Sequence, residues 1–165
     1  MKIIKELIPY LIIIIVVILI RTFLITPVRV SGSSMDDTLS NGDILLLKKY
    51  DKSFNRYDIV VFDKGSERLI KRIIGMPGEY IECINGEIYI NDNKIKDIDT
   101  NLITNDFPKT YIKTDEYFVM GDNRVVSNDS RYFGPVKKSK LQGKVSFVIF
   151  PFSHFGKIKE KIHLD

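Results

Sequence analysis

The sequence predicts an all-β, antiparallel domain that follows a single N-terminal transmembrane helix. An apolar segment near the N-terminus is long enough to cross a bilayer. The rest of the chain, roughly 140 residues, is sufficient for one folded domain with its own core. Its short apolar runs are rich in Ile, Val, Tyr and Phe and are separated by Gly-containing turns. This composition favours strands over helices.

The first element is the apolar segment at residues 7–25, which has 19 residues and one charge, Arg21, near its end. At about 1.5 Å rise per residue it roughly spans a hydrocarbon core of about 30 Å, and Arg21 can extend towards the lipid head groups. A cleaved secretory signal is the alternative. The segment is long for one, however, and bulky residues follow it where a cleavage site needs small ones. We therefore expect an uncleaved anchor.

The charges beside the anchor bias its orientation only slightly. Lys2 and Lys5 precede it, while Arg21 and Arg29 lie at its end or after it. The positive-inside rule favours a cytoplasmic N-terminus. We therefore expect residues 1–6 in the cytoplasm, residues 7–25 in the membrane, and residues 26–165 as an extracytoplasmic β domain.

Apolar runs predict the strands of this domain. Buried strands are expected at residues 44–47, 58–62 and 69–74. Asn85-Gly86 then separates two alternating runs, and Asn-Gly in this position is the strongest short-range signal for a β-hairpin.

The second half of the domain is less regular. Residues 97–109 are polar and lack a clear period, so we expect an exposed excursion there. Residues 117–120 predict another strand, which leads into Gly121-Asp122-Asn123-Arg124, and residues 145–150 predict the last one. A weak i, i+4 apolar pair at residues 157–162 indicates an amphipathic turn on the domain or the lipid surface.

Charge and cysteine content argue against two classes of protein. The net charge is +4, of which +3 comes from the first 29 residues, and the domain carries short basic pairs instead of a basic stripe. Nucleic acid is therefore not an expected partner. One cysteine and two histidines cannot form a disulfide or a closed zinc site. We expect no metal and no cofactor, and we interpret Cys83 as a packing residue.

Residues 31–39 form the first polar stretch after the anchor, and small side chains and hydroxyls dominate it. A loop between two strands explains this composition, because Gly, Ser and Asp form turns. A nucleophilic serine in the stretch would need a base. Both histidines, His154 and His163, lie among the final twelve residues, beyond the last predicted strand. This position argues against a Ser-His-Asp triad with Ser34.

Lysine remains as the base, and Lys71 is the candidate. In an extended run it shares one face with Leu69 and Ile73, while Arg72 lies on the opposite, equally apolar face. One of the two cations should therefore be desolvated, and burial lowers the pKa of a lysine. Periodicity alone leaves open whether Lys71 is buried or is a solvated residue on an edge strand.

Four segments resemble, in order, the sequence boxes of bacterial type I signal peptidases. They read SGSSM-x-x-TL at 31–39, RYDIVVF at 56–62, IKRIIGMPG at 70–78, and GDNR followed by S-x-DSRYFG at 121–134. The resemblance covers essentially the whole chain and is closest to the Gram-positive pattern. It implies a strongly coiled antiparallel sheet and a membrane-anchored endopeptidase that removes signal peptides from exported preproteins.

The same resemblance implies roles for individual residues. Ser34 corresponds to the nucleophile and Lys71 to the general base. The Ser34 backbone N–H would hold the oxyanion together with a hydroxyl at the position of Gly32, where this chain has no side-chain donor. Met35 would shape the substrate pocket.

Residues of the last box would support the dyad. Ser127 corresponds to the serine that orients the lysine, and Asp129 and Arg131 correspond to a supporting ion pair.

Two departures from the family pattern stand out: Asp37 replaces a proline, and Val125-Val126 replaces Asp-Asn. An aspartate can cap the turn that the proline would fix, whereas the valines replace polar support with apolar bulk.

The resemblance also implies partners and a location. Substrates would be preproteins with small residues at the first and third positions before the cut, and the enzyme would be a single-pass protein of the cell membrane, with a monomer favoured. Two alternatives stay open from the residues: a self-cleaving Ser-Lys repressor-type protease, and a catalytically silent, membrane-tethered β module that binds a partner.

Overall fold

The apolar N-terminal segment is helical. In the computed structural model, which describes residues 2–36, 38–96 and 104–158, helix α1 spans Lys2–Leu19 and continues as a π-helical turn at Ile20–Leu24. The 19-residue candidate span Glu6–Leu24 is apolar enough to cross a membrane, and none of it is buried against the rest of the protein. So long an uncovered apolar surface is expected to lie in lipid. The chain becomes extended at Ile25, the last residue of the anchor expected from the sequence.

Twelve strands and one short helix follow in the described ranges. The strands are β1 (Ile25–Arg29), β2 (Ile44–Lys48), β3 (Ile59–Lys64), β4 (Glu67–Gly75), β5 (Tyr80–Ile84), β6 (Glu87–Ile90), β7 (Asn93–Lys94), β8 (Phe107–Tyr111), β9 (Glu116–Met120), β10 (Val136–Lys137), β11 (Leu141–Phe150) and β12 (Gly156–Lys157). The helix is α2 (Ser130–Phe133), and single 3-10 turns lie at Lys138–Lys140 and Phe152–His154.

The strands form two antiparallel sheets. The larger has the order β1-β2-β11-β3-β4-β9-β10, with β12 also paired to β11, and the smaller has the order β7-β6-β5-β8. Strand β11 shifts register against both of its main neighbours, and β4 shifts against β9. Such bulges increase twist and bend the strands, so the larger sheet curves around its core. The predicted fold class is confirmed.

The strand predictions are confirmed at residues 44–47, 58–62, 69–74, 117–120 and 145–150, with ends that differ by at most four residues. The hairpin is also confirmed, since β5 pairs with β6 across Asn85-Gly86. Both turn residues have positive φ, 53° and 80°. A two-residue turn with positive φ at both positions matches the right-handed twist of the flanking strands.

The expected polar excursion is wrong at its C-terminal end. Residues 97–103 lie outside the described ranges, but β8 begins at Phe107 and pairs with β5. Phe107 is buried, and its ring stacks on Phe118 at 5.3 Å between centroids. One buried aromatic anchors an otherwise polar strand to the core, which periodicity over so short a segment does not detect. The tail prediction lies outside the described residues from 159 onward, and Gly156–Lys157 forms β12.

Three apolar clusters hold the sheets together. The first lies beneath β1, β2, β3 and β11 and includes Met35 and Leu39 from the polar stretch. The second packs the smaller sheet on β4 and β9 and contains Cys83, which is buried as predicted. The third lies on the other side of β3, β4 and β9. Strand β4 is therefore covered on both faces, and this decides the environment of Lys71 and Arg72.

Candidate active site

Residues 31–36 and 38–39 form a turn that presents Ser34 between β1 and β2. Met35 is only 1 % exposed and Leu39 is equally buried, so both anchor the turn in the first core cluster. The backbone closes the turn through a hydrogen bond from Leu39 N to Met35 O at 2.8 Å. Ser34, between the buried anchors and the exposed residues before it, faces the body of the domain.

Gly32 supplies the conformation that this turn needs. Its φ is +93°, a region that residues with a Cβ rarely adopt. Its backbone N–H donates to Oδ1 of Asn41 at 3.1 Å. The Gly32 amide is therefore already engaged, and the glycine contributes geometry rather than a free donor. The resemblance gave no role to Asn41, and the sequence contained no signal for it beyond its place in a polar turn.

Lys71 meets Ser34 across the site. It lies on β4, is 2 % exposed, and its Nζ donates to Ser34 Oγ at 2.5 Å. The structure thus resolves what periodicity left open, because Lys71 is buried instead of lying solvated on an edge strand. A lysine amine this close to a serine hydroxyl is arranged to accept its proton once the amine is neutral.

Burial of Lys71 favours the neutral form of its amine. Desolvation lowers the pKa of Lys71 from its ordinary value of 10.5 to about 8, opposed by the negative charges of Asp129 and Asp122 and assisted by the positive charge of Arg131. With that pKa, about one molecule in ten carries a neutral Lys71 at pH 7. An exposed lysine would be neutral far more rarely.

Arg72 is buried as well, so both cations are desolvated where the sequence predicted that one would be. Both lie on β4, which is packed on both faces. Arg72 donates to the two carboxylate oxygens of Asp122 at 2.9 and 2.6 Å. It also donates to the backbone oxygen of Tyr57 at 3.0 Å. The positive charge of Arg72 is therefore compensated by a paired carboxylate, whereas Lys71 faces a neutral hydroxyl.

The buried pair of Arg72 and Asp122 should contribute strongly to stability. Asp122→Ala leaves a buried guanidinium without its anion, and we expect a loss of about 3–5 kcal/mol in the free energy of unfolding, or a melting temperature lower by roughly 10 °C. Thermal unfolding of the full chain in detergent, followed by circular dichroism, measures this. The control is Asp63→Ala, which removes a half-exposed pair with Arg68 at 3.1 Å and should cost less than about 1 kcal/mol. Equal losses in the two variants would contradict the assignment.

The segment after β9 closes over the Ser34 turn. Asn123 N donates to the backbone oxygen of Ser34 at 3.1 Å. A Cβ at Gly121 would lie 2.4 Å from that same oxygen and 2.2 Å from Ser127 Oγ. Only a glycine therefore lets this segment approach so closely. This contact fixes the backbone of Ser34, the candidate nucleophile, against the segment that follows β9.

Asp129 and Arg131 form the expected ion pair. Oδ1 and Oδ2 of Asp129 accept from Nε and Nη2 of Arg131 at 2.8 and 2.9 Å. Oδ2 of Asp129 also accepts from Gly121 N at 2.9 Å, and Oδ1 accepts from Arg131 N at the start of α2. The pair thus connects α2 to the glycine that contacts the Ser34 turn.

Ser127 lies beside this glycine, and its hydroxyl is buried without a hydrogen-bond partner among the described residues. The hydrogen bonds in the described structure do not join it to Lys71. Its role in orienting the lysine stays a prediction, as does the role of Met35 in a substrate pocket, since Met35 is buried in the core.

The two departures from the family pattern differ in what the structure shows. Val125 and Val126 are 64 % and 57 % exposed, so their apolar bulk lies at the surface of the domain instead of being buried. Asp37 lies outside the described residues. Nδ1 of His154 lies 3.0 Å from Oδ1 of Asp43, and no hydrogen bond in the described part of the chain joins His154 to Ser34. His163 also lies outside the described residues.

Comparisons with known proteins agree on one family. Residues 3–150 match the family described as signal peptidase, peptidase S26. Signal peptidase I P of Bacillus subtilis subsp. natto is 39% identical over 164 residues, covering 88% of each chain. Signal peptidase I S of Bacillus subtilis (strain 168) is 36% identical over 160 residues, covering 87% of each.

A solved structure is also similar. The crystal structure of a signal peptidase I from Enterococcus faecalis V583 superposes with a TM-score of 0.50 at 33% sequence identity. The match covers 56% of this chain and 96% of that chain.

Proposed function

This chain belongs to the signal peptidase family, peptidase S26, and from that premise we propose that Ser34 and Lys71 are its catalytic dyad. The protein is a membrane-anchored enzyme that cleaves signal peptides from preproteins. The observation that carries the dyad assignment is the 2.5 Å hydrogen bond between Lys71 Nζ and Ser34 Oγ in a buried setting.

The geometry supports a two-step acyl transfer. Neutral Lys71 takes the proton of Ser34 as Oγ attacks the scissile carbonyl carbon. The protonated lysine then gives this proton to the departing amine, which leaves an ester between the signal peptide and Ser34. A water molecule, deprotonated by Lys71, attacks the ester, and the proton returns to Ser34 Oγ as the acid is released.

The tetrahedral intermediates need an oxyanion site. The backbone N–H of Ser34 is our first donor, because it belongs to the nucleophile itself. Gly32 has no hydroxyl, and its amide donates to Asn41 at 3.1 Å. A second donor must therefore come from another group of the turn or from a side chain that approaches when substrate binds.

Three further residues position the dyad in this proposal. Asp129 and Arg131 fix the Gly121 segment against the Ser34 turn through the contacts described above. Ser127 supplies a buried hydroxyl with no competing partner in the described structure, which suits it to hold the Lys71 amine in place during proton transfer.

The anchor limits where the enzyme can work. Ser34 lies nine positions after Ile25, and a stretch of that length cannot reach beyond about 30 Å even when fully extended. We place the active site near the outer surface of the membrane, in a single-pass protein with residues 1–6 in the cytoplasm, residues 7–25 in the membrane and residues 26–165 outside. A signal peptide presents its cleavage site just beyond its own apolar segment, at the same height.

The proposed substrates carry small residues at the first and third positions before the cut and bind as an extended strand at an edge of the enzyme's sheet. We propose that the enzyme is a monomer. The two alternatives are not favoured. The repressor-type protease and the silent binding module both disagree with membership of a family of membrane-anchored signal peptidases.

Cleavage of a purified preprotein tests the function. The full chain in detergent should cleave a preprotein with alanine at both small positions, with the cut site read by mass spectrometry of the products. Leucine at the position before the cut should lower kcat/KM by at least about 100-fold, because the extra bulk does not fit a site built for a methyl group. No cleavage of the alanine substrate would contradict the function, and equal cleavage of both would contradict the proposed specificity.

A further inference from the structure

A basic pocket lies where the membrane anchor meets the larger sheet. It has a volume of about 400 Å³, and we call it the interfacial pocket. The lining residues come from the end of the anchor, from β1 and from the adjacent surface of the body. They are Thr22, Phe23, Thr26, Lys49, Lys52, Arg68 and Gln142. The proposed peptidase chemistry uses none of them.

The pocket lies at the height of the lipid head groups. Thr22 and Phe23 belong to the last helical turn of the candidate span Glu6–Leu24. A span of this length ends at the boundary between hydrocarbon and head groups. Residues that line a pocket beside its last turn therefore face the phosphate layer of the bilayer.

The junction that forms the pocket is held by specific contacts. Lys49 N donates to the backbone oxygen of Leu24 at 2.9 Å, and Lys49 Nζ donates to the backbone oxygen of Thr22 at 3.3 Å. Thr26 Oγ1 donates to the backbone oxygen of Arg21 at 2.7 Å. The end of the anchor is thus attached to the start of the sheet, and the pocket has a defined shape.

Three cations line the pocket. Lys52 Nζ donates to the backbone oxygens of Leu141 and Gln142 at 2.8 and 2.7 Å, which leaves the third of its ammonium protons for another acceptor. Arg68 donates to Oδ1 of Asp63 through Nε at 3.1 Å, and half of its side chain stays exposed. The lining residues of the pocket therefore carry three positive charges, and Asp63 pairs with one of them.

These cations also disfavour one another. Burial lowers the pKa of Lys52, and the nearby charge of Lys49 lowers it further. A bound anion would relieve this repulsion. Phe23 is exposed beside the cations, so the ligand should combine an anionic group with an apolar part.

We propose that the interfacial pocket binds the phosphodiester head group of an anionic phospholipid, with the lipid's acyl chain against Phe23. A free phosphate offers the same charge but has nothing to place against the exposed ring. A lipid held here connects the bilayer to both the anchor and the body. It fixes the height and tilt of the domain, and therefore the distance of Ser34 from the membrane.

Lipid binding to the full chain in maltoside micelles tests this proposal. Native mass spectrometry measures retention of added phosphatidylglycerol and, separately, phosphatidylcholine as the lipid concentration is raised. We expect phosphatidylglycerol to be retained at least tenfold more tightly, because each cation near a charged head group contributes about fivefold. The double variant Lys49→Gln with Arg68→Gln should abolish this preference.

The matched control is Lys137→Gln with Lys138→Gln, which removes the same charge from exposed positions at the opposite end of the larger sheet. It should keep the preference. Arg68→Glu, a single change at a half-exposed site, should also weaken phosphatidylglycerol binding. This variant replaces the double variant in the test if the double variant does not fold. A loss in the control equal to that in the double variant would overturn the proposal. Displacement of the lipid by an equal concentration of inorganic phosphate would overturn the lipid assignment in favour of a free anion.

Discussion

Ser34→Ala should lower preprotein cleavage by at least about 10⁴-fold while leaving the fold intact. The substitution removes the oxygen that lies 2.5 Å from Lys71 Nζ, and therefore the atom that would form the ester. The buried anchors of the turn, Met35 and Leu39, are unchanged, so Ser34 can keep its backbone position. The measurement is kcat/KM on a purified preprotein with the full chain in detergent.

Ser33→Ala is the matched control, because it removes a hydroxyl from an exposed position next to Ser34. It should retain cleavage within a few-fold. Thermal unfolding should be similar for both variants and the wild type. A Ser34→Ala protein that still cleaves, or a Ser33→Ala protein that loses as much activity, would contradict the assignment of the nucleophile.

Lys71→Met should lower cleavage by about 10³- to 10⁴-fold, since it removes the proposed general base but keeps an unbranched side chain of similar length. The pH profile of the wild type gives an independent readout. A base with a pKa of about 8 is active in its neutral form. The rate should therefore rise about tenfold per pH unit below this value and level off above it. A rate that is flat between pH 6 and pH 9 would contradict lysine as the base.

The same variant separates the loss of a base from a damaged fold. The pKa of Lys71 in the folded protein, about 8, lies below its ordinary value of 10.5. Between these values the unfolded chain binds a proton that the folded protein does not, so Lys71 makes stability rise with pH there. Below pH 8 the folded protein bears the full cost of a buried ammonium. Lys71→Met should therefore raise the melting temperature at pH 7 and change it little near pH 10. A lower melting temperature at pH 7 would attribute the lost activity to structural damage.

Local sequence patterns predicted much of this fold because they depend on neighbours along the chain. The apolar segment specified the anchor, and Asn85-Gly86 specified the hairpin between β5 and β6. Strand β8 was missed because its inclusion rests on Phe107 stacking against Phe118, a contact between separate segments. The two-residue strands are held by pairing alone, and such pairing leaves no period in the sequence.

The sequence by itself determined which residues could perform the chemistry: a serine in a turn after the anchor and a lysine in an apolar strand. The position of both histidines near the C-terminus argued against them as the base. Only the tertiary structure decided which of the two neighbouring cations of that strand lies against Ser34 and which one pairs with a carboxylate. Asp122, 50 positions after Arg72, pairs with the arginine, while Lys71 meets the neutral hydroxyl of Ser34. Both side chains are buried, but the charge of Arg72 is compensated by a carboxylate, whereas burial lowers the pKa of Lys71. The reason is that desolvation and ion pairing depend on what the folded chain places around a group, and periodicity along one strand does not contain that information.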